Sequence, residues 1–173
     1  AALQEFWRSL RLTTRLAPLV RSPLGRGYRT TSKRKAFERG HELRLGLIDP
    51  SQAGGPRTMD VTACVIEPAA HAAIFARIQE SLLKPFARPL TKALRYVIIK
   101  GNYEEFSVIL TVATVDGLLV KAANTLSKGL TRLCPAVTGI FLFEDQSDGR
   151  YYLGTRNPSA RGGLRTLFGT GKV

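Results

Sequence analysis

The sequence predicts an α+β protein: a mostly antiparallel sheet with two amphipathic helices packed on it, a basic β-hairpin and an N-terminal helix. Segments 93–100, 106–115 and 137–143 have the length and the apolar content of strands, and 106–115 is continuously apolar. Segments 68–83 and 118–133 instead place apolar side chains every three or four positions, which is the repeat of one helix face. The order strand, strand, helix, strand is typical of a sheet covered by helices on one face.

The helix at 68–83 has a recognisable start and a recognisable buried face. Pro68 suits the first helical position, because its missing N–H has no intrahelical partner there. The predicted buried face consists of Ala72, Phe75, Ile78 and Leu82. His71 is predicted to be a surface residue, since nothing in the sequence gives it a metal or catalytic partner.

The chain is predicted to contain an N-terminal helix with its linker, residues 1–21, and a main domain, residues 22–173. Apolar residues spaced three and four apart form one face of that helix, with arginines around it: Ala2, Leu3, Phe6, Trp7 and Leu10. Pro18 is expected to end the helix. An Arg-rich, acid-poor amphipathic start is also typical of a mitochondrial targeting peptide, so that alternative stays open.

A basic β-hairpin is predicted between the linker and the first long helix. Turn residues at 23–27 lead into the basic run Arg29–Lys35, and Gly40 separates this run from a second strand-like segment, Leu43–Ile48. Charged side chains therefore lie at the tip of the hairpin and on at least one face of its first strand. A Gly/Pro-rich loop at 51–56 follows and is expected to be flexible.

The charge balance makes nucleic acid the favoured class of partner. The chain has 26 Lys and Arg against 13 Asp and Glu, a net charge of +13. Residues 1–44 hold 11 of these cations and only 3 of the acids. Clustered positive charge attracts polyanions through counterion release. A solvated basic surface that serves solubility is the alternative.

Three stretches resemble the central domain of the RNA (uracil-C5)-methyltransferases that act on ribosomal and transfer RNA. These stretches are Gly27-Tyr28-Arg29, Leu45-Gly46-Leu47 and Asp60-Val61-Thr62-Ala63-Cys64. The similar order extends over most of the chain. Two departures weaken the match, because Thr30-Thr31 stands where many members have Asn-Lys, and Leu47 stands where Phe is usual.

The resemblance implies an AdoMet-dependent parent enzyme that methylates C5 of uracil. In that family a Cys thiolate adds to C6 of the base, and a carboxylate removes the C5 proton. Both groups lie in a C-terminal domain, which follows the position that matches Val173. We therefore expect this chain to be an RNA-binding central fragment that is catalytically inert alone. Ribosomal RNA is the favoured substrate, and the cytoplasm is the expected compartment.

On this hypothesis the hairpin region contacts RNA. Tyr28 stacks on a base, and four cations contact phosphates: Arg29, Lys33, Arg34 and Lys35. A charged hairpin that touches no partner is the alternative interpretation of the same residues.

The chain has two cysteines, Cys64 and Cys134, which are too few for a disulfide framework and are typical of free thiols in a reducing compartment. In cluster-bearing members of the resembled family, one 4Fe–4S ligand occupies the position of Cys64 and three come from an upstream group that this chain lacks. Cys64 is thus either the orphaned fourth ligand or a small buried apolar residue.

Catalytic and cofactor motifs are not found in the sequence. Neither His41 nor His71 belongs to a nucleophile–base pattern. Segment 169–173 departs from the phosphate-loop pattern, and no Gly-x-Gly-x-x-Gly follows a strand, so neither AdoMet nor a dinucleotide can be placed. Two further functions stay open: a non-catalytic RNA-binding or ribosome-associated structural protein, and a protein–protein adaptor that uses the exposed face of the sheet.

Overall fold

A computed structural model describes residues 2–18, 20, 23–49, 57–145 and 163–169. Its strands, in chain order, are β1 Thr31–Arg39, β2 Glu42–Asp49, β3 Arg57–Asp60, β4 Leu94–Gly101, β5 Phe106–Val112, β6 Val137–Glu144 and β7 Leu164–Phe168. Its helices are α1 Ala2–Ser9, α2 Ala69–Leu82, α3 Arg88–Ala93, which follows a 3₁₀ turn at Pro85–Ala87, and α4 Gly117–Leu133.

The seven strands form one sheet in the order β3-β2-β1-β4-β5-β6-β7. All neighbouring pairs are antiparallel except β5 and β6, which run parallel because α4 connects them as a crossover. The predicted α+β class and the mostly antiparallel sheet are confirmed.

The predicted hairpin is formed by β1 and β2. Arg39 is the cross-strand partner of Glu42, which leaves Gly40 and His41 as a two-residue loop. Gly40 has φ +64°, and a positive φ at the first loop position favours glycine. Gly46 allows close packing farther along β2, because a Cβ there would overlap the carbonyl oxygen of Met59 in β3. The four-residue strand β3 was not expected from the sequence.

The two main helices lie where the hydrophobic repeat predicts them. α4 begins after Asp116, whose carboxylate accepts a hydrogen bond from the Leu119 N–H at 2.7 Å and caps the helix. α1 ends at Ser9, so the prediction that Pro18 ends it is wrong. Arg11 has φ +53°, which no right-handed helix allows, and the Trp7 indole donates to the Thr14 carbonyl at 2.8 Å across the resulting bend.

The main hydrophobic core lies between one face of the sheet and helices α2 and α4. Large side chains that are fully buried in this layer include Phe75, Ile78, Leu110, Leu126 and Ile140. Alternate residues of the central strands point to the other face, where they form a second buried cluster: Tyr96, Ile98, Ile109, Phe141 and Phe143. Both faces of the central strands are therefore buried, as their continuous apolar sequences require.

Arg34 belongs to the helix side of the sheet, and this placement corrects its assignment as an exposed cation. Its side chain is 3% exposed and its Nη2 donates to the Glu67 Oε2 at 3.1 Å. Nη1 donates to the Val61 carbonyl at 2.6 Å, and the guanidinium carbon lies 3.9 Å from the centre of the Phe75 ring. The strand alternates, so Ser32, Arg34 and Ala36 all point inward.

His71 is also buried, so its prediction as a surface residue is wrong. It is 0% exposed, its Nδ1 lies 2.8 Å from the Ser32 Oγ, and its ring meets Phe106 edge-on at 5.2 Å between centroids. Within the described chain, its Nε2 has no hydrogen-bond partner. Burial lowers the pKa of His71, the Glu67 carboxylate opposes this shift, and the Arg34 guanidinium adds to it.

Two sequence predictions fall outside the described residues: the domain boundary between residues 21 and 22, and the flexible loop at 51–56. None of the helices in the described ranges combines the length and the apolar character that crossing a membrane requires.

Removing one partner of the buried ion pair is expected to destabilise the fold strongly. Arg34→Met leaves the Glu67 carboxylate buried without its cation, and such a change costs about 3–5 kcal/mol in the free energy of unfolding. Arg39→Met, which breaks the exposed pair with Asp60, should cost less than about 1 kcal/mol. Urea denaturation of both variants tests the contrast. Equal losses would show that the Arg34 pair is not a structural element.

Stability is expected to fall in mild acid because of His71. Because the pKa of this ring is lowered in the native state, the unfolded chain takes up a proton below its ordinary pKa of 6.5, and the folded chain takes it up only at lower pH. The loss reaches up to about 1.4 kcal/mol per pH unit between 6.5 and the lowered native pKa. His71→Asn removes this titration, so its unfolding free energy should depend less on pH than that of the wild type. The same slope in both proteins between pH 7 and 5 would contradict this account.

Candidate nucleic-acid interface

The basic strand β1 presents two of its cations on the side of the sheet that faces away from α2 and α4. Lys33 is the cross-strand partner of Ile98, and Lys35 is the partner of Tyr96. Cross-strand partners share a face, and both Ile98 and Tyr96 belong to the second cluster. Because successive side chains of β1 alternate between the two faces of the sheet, Lys33 and Lys35 lie on the opposite face from Arg34.

Lys33 packs on an aromatic ring. Its Nζ lies 3.8 Å from the centre of the Tyr96 ring, a cation–π geometry. Burial lowers the pKa of Lys33, and the carboxylate of Asp145 opposes the shift. The ammonium is thus held in a defined position, in contrast to a cation on a freely moving surface side chain.

Tyr28 and Arg29 lie just before β1, in a segment that is fixed by backbone hydrogen bonds. The Gly27 N–H donates to the Val65 carbonyl at 3.0 Å, and the Arg29 N–H donates to the Ile66 carbonyl at 2.9 Å. The side chain of Tyr28 is 47% exposed, and that of Arg29 is exposed as well. The backbone is held while both side chains reach solvent, which is the arrangement that stacking and phosphate contacts need.

A second tyrosine approaches this segment from the turn between β4 and β5. The Tyr103 hydroxyl donates to the Tyr28 carbonyl at 2.8 Å. The Gly101 N–H donates to the Thr30 carbonyl at 2.9 Å, which joins the same turn to the start of β1. Neither Tyr103 nor Tyr96 was predicted to belong to the site, because neither tyrosine lies in the basic run.

Four of the five predicted contact residues remain candidates. Tyr28 and Arg29 precede the sheet, and Lys33 and Lys35 lie on the face turned away from α2 and α4, named the helix-free face because neither of these two helices covers it. Among the residues that the structure describes, neither Arg29 nor Lys35 forms an ion pair. Arg34 is excluded from contact with a phosphate, because its guanidinium is buried and bonded to Glu67. The predicted cationic surface is thus divided between the two sides of β1.

Cys64 lies in the loop between β3 and α2 and is half-buried, as is Cys134 after α4, and both are free thiols. Burial raises the pKa of Cys134. In the described ranges, no group of three or more His, Cys, Asp and Glu is placed to hold a metal ion. Since a 4Fe–4S cluster needs four ligands, these residues do not by themselves fit one, and the role of Cys64 as a fourth ligand stays a prediction.

No model of a known protein family matches the chain, and no curated protein sequence matches it either.

Proposed function

We propose that the chain binds single-stranded RNA along the start of β1. The observation that carries the proposal is the alternation of β1, which buries Arg34 and leaves Lys33 and Lys35 on the face turned away from α2 and α4. The exposed Tyr28 and Arg29 lie just before this strand. Arg29 and Lys35 lie less than about 20 Å apart, because that is the distance in a fully extended chain at 3.3 Å per residue and the chain bends at Thr30. This span suits a short run of unpaired nucleotides, with cations on the backbone and a ring for a base.

The resemblance to RNA (uracil-C5)-methyltransferases suggests the reaction for which the RNA is bound. On that basis we propose that the chain holds ribosomal RNA in the cytoplasm for an AdoMet-dependent methylation, and we assign no catalytic step to any residue described here. Holding RNA is equally the role of a ribosome-associated structural protein. Binding experiments therefore test the part of the proposal that both functions share.

Neutralising two cations of the candidate surface is expected to weaken RNA binding and reduce its salt dependence. Each lost phosphate contact lowers the slope of log K against log salt by about 0.7 for a single strand, so Arg29→Gln with Lys35→Gln should lower it by about 1.4. Fluorescence anisotropy with a labelled single-stranded RNA measures affinity and slope between about 50 and 200 mM salt.

The matched control is Lys121→Gln with Lys128→Gln on α4. Both lysines are exposed in the helix layer, on the opposite side of the sheet, and the pair removes the same total charge. The control should keep the wild-type slope. Equal changes in the two double variants would mean that only net charge matters and that β1 is not the binding surface.

Tyr28→Leu is expected to weaken binding without changing the salt slope, because stacking on a base releases no counterions. Stacking contributes about 1–3 kcal/mol per base, so affinity should fall about fivefold or more. Phe86→Leu is the control, since Phe86 is an exposed aromatic ring in the 3₁₀ turn of the helix layer. Unchanged affinity in the Tyr28 variant would remove stacking from the proposal.

A further inference from the structure

Tyr103 has an unusual backbone conformation for its residue type. Its φ is +80°, in the region that glycine and, less readily, asparagine adopt. Its side chain is 46% exposed, so burial of the ring does little to offset the strain. Strained backbone of this kind is found mainly at functional sites, and an observed outlier is a reason to look for a function.

The surrounding turn holds Tyr103 in this conformation. The Asn102 side-chain oxygen accepts hydrogen bonds from the N–H groups of Glu104 at 3.1 Å and Glu105 at 2.8 Å. The Asn102 N–H in turn donates to the Glu105 carbonyl at 3.2 Å. With its hydroxyl bonded to the Tyr28 carbonyl at 2.8 Å, Tyr103 is fixed at both its backbone and the tip of its ring.

These contacts join the Tyr103 hydroxyl to the backbone of Tyr28, so two half-exposed tyrosines lie near the start of the cationic strand. A sequence-tolerant site for single strands combines such rings, on which successive bases stack, with a row of cations along the backbone. The exposed carboxylates of Glu104 and Glu105 repel phosphates, so the nucleic-acid backbone lies on the Arg29 side and the bases point toward the turn.

We propose that Tyr103 is a second base-stacking residue, which acts beside Tyr28 so that the site takes unpaired RNA bases in preference to duplex. This inference rests on the proposed RNA-binding function and deepens it. The hydrogen bond from the Tyr103 hydroxyl to the Tyr28 carbonyl orients the Tyr103 ring, and the face of that ring makes the contact with the base.

The experiment compares Tyr103→Asn with Tyr103→Phe. Asparagine tolerates a positive φ, so the first variant removes the ring and keeps the turn, whereas the second keeps the ring and removes only the hydroxyl. The probe is a short oligouridylate with one 2-aminopurine, whose fluorescence reports stacking, and the same RNA annealed to its complement serves as the duplex. Thermal unfolding of each variant checks that the fold is retained.

We expect Tyr103→Asn to bind the single strand about fivefold or more weakly and to lose part of the fluorescence change, and Tyr103→Phe to stay within about twofold of the wild type. Wild-type affinity in Tyr103→Asn overturns the inference while leaving RNA binding intact. An equal loss in both variants also overturns it, because Tyr103 would then act through the Tyr28 backbone. Absence of RNA binding by the wild type overturns the proposed function as well.

Discussion

The buried ion pair between Arg34 and Glu67 is the constraint on which the other features depend, because it fixes the register of β1. Side chains of a strand alternate between faces, so a slip of one residue would exchange the two sides completely. Such a slip would bring Lys33 or Lys35 under the helices in place of Arg34, which would move to the other face. A lysine there does not reproduce the planar guanidinium fork, which bonds both the Glu67 carboxylate and the Val61 carbonyl. The pair therefore keeps the half-buried Lys33 and Lys35 on the face turned away from α2 and α4, which is the face of the proposed binding site.

The same pair also links the strand to the segment that presents Tyr28. Arg34 donates to the Val61 carbonyl at the start of the loop before α2, and Glu67 lies at the end of that loop. Between these two points, the carbonyl groups at positions 65 and 66 hold the backbone on either side of Tyr28. A single arginine thus sets both the outward direction of its neighbours in β1 and the position of the loop that anchors the tyrosine, so stability and proposed binding are not independent properties of this region.

How much of this the sequence could predict depends on the range of the interactions involved. The hairpin, α2 and α4 were predictable because turn residues and hydrophobic repeats are local signals. The burial of Arg34 was not, since its acidic partner lies 33 positions away, and the same holds for His71, whose serine partner is 39 positions away. When their distant partners are not known, Arg34 and His71 are residue types that are usually found on the protein surface. β3 was missed for a related reason: its four residues carry no strand pattern and become a strand only by pairing with β2.

The two kinds of contact in the proposed site differ in how far they are organised before RNA arrives. The backbone beside Tyr28 is held by hydrogen bonds, and the ring of Tyr103 is held at its tip, so stacking surfaces are ready without further ordering. Arg29 and Lys35 are long side chains without described ion-pair partners, and immobilising each costs about 0.5–1.5 kcal/mol on binding. Lys33, already fixed over Tyr96, avoids most of that cost. In the proposed site, preorganised rings and one preorganised ammonium therefore supply position, while Arg29 and Lys35 supply long-range attraction that weakens as salt rises.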